Sequence, residues 1–182
     1  MEAVALTATV YNFHIDLADA DRGVYETLDL RMAQHPSESE EYFIARLLAY
    51  CLEYTEGIGF SNGISDPEEP TIAVRDLTGK VRVWIEIGAP AAARLHKASK
   101  AANRVAVYTH RDPAQLMREL AGEKIHRASD VEIYSFDRAF IAALAARLER
   151  RMSMAVSISE RHVLVAMDEG TCEGSIATHR LP

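Results

Sequence analysis

Residues 80–90, Lys-Val-Arg-Val-Trp-Ile-Glu-Ile-Gly-Ala-Pro, carry a regular strand pattern. Its alternation predicts a β-strand with two distinct faces, Val81, Val83, Ile85 and Ile87 on one and Arg82, Trp84, Glu86 and Gly88 on the other. Glu86 is the exceptional member, because a carboxylate among apolar neighbours loses its hydration at a cost of several kcal/mol. The sequence therefore predicts a cation or hydrogen-bond donors beside Glu86.

The composition is that of an ordinary globular protein, with 48% hydrophobic and 26% charged residues, and the length fits one domain over residues 1–182. Twenty basic and 27 acidic residues give a net charge of −7. This charge argues against indiscriminate binding to nucleic acid but allows a local basic surface. Because the chain shows no signal peptide, no apolar run of membrane-spanning length and only two widely spaced cysteines, we expect a cytoplasmic protein with free thiols and no membrane contact.

The first half of the chain predicts two hairpins and a helix. Residues 5–17 and 24–32 form the first hairpin, with a polar turn between them. Ser37 and Glu40 make a capping box that starts a helix running to about Glu56. Residues 57–70 are predicted to be a loop, followed by a hairpin of residues 71–76 with the strand that contains Glu86.

The second half alternates helices with strands before it ends in strands alone. The pattern predicts helices over residues 91–103 and 113–121 and a further helix ending at Arg151, with strands at 105–108 and 131–136 between them. Such alternation implies parallel crossovers, and thus an α/β or α+β fold on a mixed sheet. Residues 152–159, 163–167 and 175–179 are predicted strands that complete the sheet begun by the N-terminal hairpin, at an edge that the sequence leaves open.

Carboxylates arrive at one end of this sheet from separate elements. Glu41 lies on the first helix, Glu69 belongs to an acidic loop with Asp66 and Glu68, and Glu86 lies on the strand. Oxygen ligands of this kind suit Mg²⁺ or Mn²⁺, and a lysine such as Lys97 would assist phosphodiester hydrolysis. Acids at a helix N-terminus and in a loop are also often only solvated.

Basic side chains follow Glu86 at helical spacing, namely Arg94, Lys97, Lys100 and Arg104. Such a stripe either guides a phosphate backbone or is a solvated helix face. Arg46 lies where it can pair with Glu38 or Glu41. Because the chain has no dinucleotide-binding, P-loop, zincin or nucleophile-elbow motif, those classes of enzyme have no support in the sequence.

Several of these segments together resemble the YaeQ family of bacterial proteins: His35-Pro36-Ser37-Glu38 with Glu41, Arg46-Leu47-Leu48-Ala49, Glu69-Pro70, residues 84–90 and Lys97-Ala98. The likeness covers essentially the whole chain. It implies a variant of the PD-(D/E)XK nuclease-like, or restriction-endonuclease-like, fold with an αβββαβ core, in a family without an established activity. Glu86 then matches the second acid of the nuclease signature, and Glu41 the acid of the first helix.

Two positions depart from that signature. Gly88 stands where the signature has lysine, so that only Lys97 could substitute for it, and Thr71 stands where an acid would follow Pro70, which leaves Glu69 or Glu68 in its place. The sequence thus supports two hypotheses. In the first, Glu41, Glu69 and Glu86 hold Mg²⁺ or Mn²⁺ for a nuclease in which Lys97 assists and the basic residues, including Arg46, guide nucleic acid. In the second, the protein is a non-catalytic member of the fold that binds nucleic acid or a protein partner. A protein cation in the position of the metal would favour this second hypothesis.

Overall fold

The computed structural model describes residues 7–61 and 68–182, and these form ten strands and four helices. The strands are β1 (Thr9–Asp19), β2 (Val24–Gln34), β3 (Ile58–Phe60), β4 (Ile72–Arg75), β5 (Val81–Ile87), β6 (Arg104–Thr109), β7 (Glu132–Phe136), β8 (Arg151–Ser159), β9 (His162–Met167) and β10 (Gly170–His179). The helices are α1 (Glu40–Leu52), α2 (Ala92–Ala101), α3 (Pro113–Leu120) and α4 (Arg138–Ala146).

All ten strands join one mixed sheet in the order β2-β1-β8-β9-β10-β7-β6-β5-β4-β3. Three neighbouring pairs are parallel, β1 with β8, β5 with β6 and β6 with β7, and the other pairs are antiparallel. The protein therefore has a mixed α+β architecture, as the sequence predicts. Both hairpins are confirmed, since β1 pairs with β2 and β4 with β5.

The two faces of the sheet are covered to different extents. One face carries a core that runs from β1 to β5 beneath α1 and α4, and Phe13, Phe43 and Ile85 in it are almost fully buried. The second core is smaller and lies between α2, α3 and strands β5 to β7, around Trp84 and Val107. Trp84 lies in one core and Ile85 in the other, as the alternation predicts. Val81 does not follow it and packs against the core of Trp84, because the register with β4 shifts between Val74 and Arg75.

The first helix begins later and ends earlier than predicted. Ser39, not Ser37, is the N-cap, and its hydroxyl accepts a hydrogen bond from the Tyr42 N–H at 3.1 Å. Ser37 is engaged elsewhere, with its hydroxyl 2.7 Å from Nδ1 of His35. The predicted capping box is therefore wrong, because two serines compete and the one with extended backbone next to the helix becomes the cap.

Sequence patterns also missed some boundaries after the first helix. The predicted loop of residues 57–70 contains β3, which is only three residues long, and Asp66 lies outside the described residues. The helix predicted to end at Arg151 ends at Ala146, and Arg151 begins β8. The C-terminal strands do join the N-terminal hairpin, through the parallel pairing of β8 with β1.

A candidate binding cleft at the ends of two parallel strands

A cleft of about 500 Å³ opens at the carboxyl ends of β5 and β6 and beside the start of α1. Ligands of α/β proteins bind preferentially at such strand ends. Its walls come from three places, Ser37 to Ser39 with Tyr42 before and in α1, Ile87 to Pro90 after β5, and His110 with Arg111 after β6. Because three elements converge on it, this cleft is the candidate functional site.

Glu86 directly precedes the cleft residue Ile87 in β5 and is compensated by protein groups. Its side chain is 5% exposed, and Arg94 Nη2 lies 2.8 Å from Oε1. The Trp84 indole N–H donates to the same oxygen at 2.6 Å, while the Thr71 hydroxyl lies 3.4 Å from Oε2. The cation and the donors that the sequence predicts beside Glu86 are therefore both present.

Arg94 is anchored in that pair by further contacts. It donates a hydrogen bond to the backbone carbonyl of Glu69 at 2.7 Å, and its guanidinium lies 5.7 Å from the centre of the Trp84 ring. This arrangement arises because α2 follows β5 after a short turn, which brings its first turn back to the strand end. Arg94 therefore neutralises Glu86 from within the protein.

A second buried ion pair joins Glu38 to Arg46 at the start of α1. Arg46 Nη2 lies 3.2 Å from each carboxylate oxygen of Glu38 and 2.7 Å from the carbonyl of Ala33. Burial raises the pKa of Glu38, while the charge of Arg46 opposes this rise. Of the two partners that the sequence offers to Arg46, Glu38 is the one that the structure selects.

Three cleft residues were missed by sequence reasoning: Tyr42, His110 and Arg111. The Tyr42 and His110 rings meet edge to face with centroids 6.0 Å apart, and Gly88, with φ of 86°, lets the backbone pass close to both. Burial lowers the pKa of His110, with Arg111 adding to this and Glu41 opposing it. The available signal was the position of His110 and Arg111 directly after a buried strand that is parallel to its neighbour.

The structure keeps the three predicted metal ligands in different surroundings. Glu41 is exposed on the first turn of α1, and Glu69 pairs with Arg75 at 2.8 Å on the surface. Among residues 7–61 and 68–182, no three His, Cys, Asp or Glu side chains are grouped so that they could hold a metal ion. The predicted Mg²⁺ or Mn²⁺ site is thus not preformed in that part of the chain, and metal binding stays a prediction.

The predicted basic residues are also dispersed. Lys97 forms an ion pair with Glu68, and Lys100 is exposed on α2. Arg104 begins β6, at the opposite end of that strand from the cleft, where it forms ion pairs with Glu53 at 2.6 Å and with Glu132. Of these basic residues, Arg94 is the one that pairs with Glu86 near the end of β5.

The ten-stranded mixed sheet, with four helices and a cleft at the ends of β5 and β6, defines an α+β protein. The YaeQ protein family model matches residues 4–176. The chain belongs to the YaeQ family.

Relatives named YaeQ match over most of their length. The uncharacterized protein YaeQ of Escherichia coli K12 is 28% identical over 180 residues, which is 98% of this chain and 99% of that protein. The uncharacterized protein YaeQ of Salmonella typhi is 30% identical over 158 residues, covering 86% of this chain and 87% of that one. The helices in the described part of the chain are too short or too polar to cross a membrane.

Two crystal structures of YaeQ proteins have the same fold. The protein from Xanthomonas axonopodis pv. citri superposes with a TM-score of 0.83 at 29% identity, covering 97% of this chain and 100% of that chain. The protein from Pseudomonas syringae superposes with a TM-score of 0.84 at 33% identity, covering 94% and 95%.

Proposed function

We propose that this protein is a non-catalytic nucleic-acid-binding member of its fold, which holds one nucleotide of a single strand in the cleft. The observation that carries the proposal is the ion pair of Glu86 with Arg94 at 2.8 Å. A divalent ion needs carboxylate oxygens that are open to it. At Glu86, an arginine and an indole N–H already occupy one oxygen, so a metal would have to displace a buried protein cation.

The proposal also explains the chemistry of the cleft walls. The dipole of α1 adds a partial positive charge to the cleft, although Ser39 already accepts the Tyr42 N–H and Glu40 and Glu41 lie in the first turn. The exposed guanidinium of Arg111 suits a phosphate, which it can bind through two N–H groups. Tyr42 and His110 offer aromatic surface to a base, and stacking of this kind does not depend on sequence.

The size of the cleft favours a single strand over a duplex. A volume of about 500 Å³ falls in the usual range for small-ligand sites and matches a nucleotide. The net charge of −7 leaves little general attraction for a duplex backbone, and the cations Arg94, Lys97 and Arg104 are engaged by acids. Local recognition in the cleft is therefore preferred to a long basic track.

The element order supports the proposed relationship to restriction-endonuclease-like folds. From α1 onward the chain runs α1, β3, β4, β5, α2 and β6, which is the order αβββαβ. Glu86 lies near the end of the third of these strands, and Thr71 and Gly88 occupy the places of the expected acid and lysine. A member that has lost two of these groups while keeping the cleft is consistent with binding without cleavage.

A metal-dependent nuclease is the second candidate, and one observation favours it. The charges of Glu86 and Glu38 both raise the pKa of Tyr42, behind burial as the main cause, so these two carboxylates lie near the same cleft residue. In that case Mg²⁺ or Mn²⁺ would bind there, and Arg94 would have to leave Glu86. Glu41 and Glu69 would then complete the ligands, with Lys97 assisting.

The test measures binding and cleavage in one set of samples. Fluorescence anisotropy with labelled single- and double-stranded DNA and RNA, in EDTA and in Mg²⁺ or Mn²⁺, is expected to show metal-independent binding to single strands. Arg111→Ala should weaken this binding at least about tenfold, whereas Lys100→Ala, which removes the same charge from exposed α2, should not. Gel analysis should show intact nucleic acid.

Two outcomes would overturn the proposal. The absence of binding to every nucleic acid, or equal losses in Arg111→Ala and Lys100→Ala, would remove the cleft as a nucleotide site. Metal-dependent cleavage that disappears in Glu86→Gln would establish the nuclease instead.

A further inference from the structure

β2 is an edge strand of the sheet, and it is long and regular. It has 11 residues and pairs on one side with β1 along its whole length. No other strand in the described part of the chain lies on its second side. An edge of this length presents a row of backbone donors and acceptors that can pair with another chain.

The side chains of β2 alternate between two faces. Leu28 and Met32 are buried on the core face, and Leu30 between them is partly exposed. Asp29 and Arg31 are exposed on the other face, which no helix covers over this strand. The strand thus carries one acid and one base two residues apart on the same open face.

This spacing makes β2 complementary to itself. If two copies pair antiparallel about Leu30, Leu30 faces Leu30 of the second copy, and Asp29 faces Arg31 of the second copy. By symmetry Arg31 also faces Asp29, so two opposite-charge pairs form on one face. On the core face Leu28 faces Met32 of the second copy.

Neighbouring registers are unfavourable in charge. A shift that moves the centre to Asp29 puts two aspartates opposite each other, and a shift to Arg31 puts two arginines opposite each other. Like charges directly opposite destabilise a pair of strands. Of these three registers, charge favours the one centred on Leu30.

We propose that this protein forms a symmetric dimer through antiparallel pairing of β2 with β2 of a second copy, centred on Leu30. The ten-stranded sheets of the two copies then form one continuous sheet. His14 lies 2.7 Å from Asp29 on the neighbouring strand, so that Asp29 is held between its imidazole and the arginine of the second copy. This inference is independent of the proposed function.

Charge exchange tests the proposal in the full chain. Sedimentation equilibrium over a range of concentrations should show a dimer, and Arg31→Asp should raise its dissociation constant at least about tenfold. Combining Asp29→Arg with Arg31→Asp restores the opposite-charge pairs and should restore the wild-type value. A monomer at every concentration, or a dimer indifferent to Arg31→Asp, would overturn the proposal, as would failure of the exchange to rescue a folded double variant.

Cross-linking tests the register directly. Leu30→Cys places two thiols opposite each other across the symmetry axis, within the Cα separation that a disulfide spans, and mild oxidation should yield covalent dimers. Thr27→Cys is the matched control, since Thr27 faces Ala33 of the second copy and its own counterpart is six residues, about 20 Å, away. Equal cross-linking of both variants, or none in Leu30→Cys, would contradict this register. The native Cys51 and Cys172 are buried and stay in place in both.

Discussion

The two halves of the sheet differ in how many faces are covered. In β6, between the two cores, Val105 through Thr109 are all buried. In β1 the pattern alternates, with Phe13 and Ile15 buried and His14 and Asp16 exposed. Parallel strands are commonly covered on both faces, as β6 is, whereas β1 is covered on one face although it is parallel to β8. The same sheet thus has a strand-end cleft in the half that contains β5 to β7 and an open face and edge in the half that contains β1 and β2.

The largest difference in stability is expected when an aspartate is introduced separately into each half of the sheet. Val107 is fully buried beneath α2 and α3, so Val107→Asp should cost more than about 4 kcal/mol, because the carboxylate lacks a partner there. Ser157→Asp on the open face of β8 should change stability by less than about 0.5 kcal/mol. Urea denaturation followed by circular dichroism measures both.

If Val107→Asp does not fold, Val107→Thr keeps this comparison measurable. Its buried hydroxyl should cost about 1–3 kcal/mol. Similar losses for the residue 107 and residue 157 variants would show that the α2 and α3 face is as open as the face of β8.

The second largest difference in stability is expected from removing one ion pair in each half of the sheet. Arg94→Ala leaves the Glu86 carboxylate buried and unpaired, and should cost about 2–3 kcal/mol, reduced from the fully buried case because Arg94 is 24% exposed. His14→Ala removes an exposed pair with Asp29 and should leave the urea midpoint unchanged. Replacing Arg94 by Met together with Glu86→Gln should recover part of the loss, and no recovery would mean that Arg94 acts through packing alone.

The third effect concerns β10, where the two halves meet. A Cβ added at Gly174 would lie 2.6 Å from the Phe140 Cβ of α4, so Gly174→Ala should cost about 1–3 kcal/mol. Gly59→Ala in β3 is the control, since a Cβ there meets nothing within 4 Å. In a thermal shift assay, Gly174→Ala should have a lower melting temperature than the wild type and Gly59→Ala should not. An unchanged melting temperature for Gly174→Ala would mean that α4 can move away from the sheet.

The smallest effect comes from a carboxylate that holds a turn. In the open half, Asp21 accepts N–H groups of Glu160 at 2.7 Å and Arg161 at 3.0 Å, two non-glycine residues with positive φ. Asp21→Ala should cost about 1 kcal/mol. Asp112→Ala, which removes the N-cap of α3 in the covered half, should cost a similar amount.

The Asp21 contribution should depend on pH. The backbone N–H groups of Arg161 and Glu160 hold the pKa of Asp21 below its usual 3.8 in the folded protein. Its contribution is therefore fully present above the unfolded pKa and is lost as pH falls below about 4 through the folded value. The difference in stability between wild type and Asp21→Ala should shrink between pH 5 and pH 3, measured by urea denaturation, and a constant difference would contradict this cause.

Local patterns predicted the elements of this fold better than their arrangement. The apolar alternation of β1 and the helical spacing around Leu95 in α2 depend only on neighbouring residues, and both appear in the structure. β3 was missed because three residues carry too short a pattern. The pairing of β1 with β8 joins segments more than 130 residues apart, so no local period records it.

The candidate site shows the same limit. The sequence identified Glu86 as a carboxylate that needs compensation, because its apolar neighbours are adjacent in the chain. It assigned Arg94 to nucleic acid, since the turn that brings α2 back to the strand end is not visible in a linear spacing. His110 and Arg111 belong to no motif and became apparent only through the strand order.

The position of β1 between β2 and β8 has a consequence for biosynthesis. β1 leaves the ribosome early, but its second neighbour begins at Arg151. At usual translation rates of about 5–20 residues per second, the nascent hairpin waits roughly 6–23 seconds for that neighbour. During this interval one side of β1 is open as well as the outer side of β2, and unpaired strand edges of this kind make a nascent chain prone to aggregation.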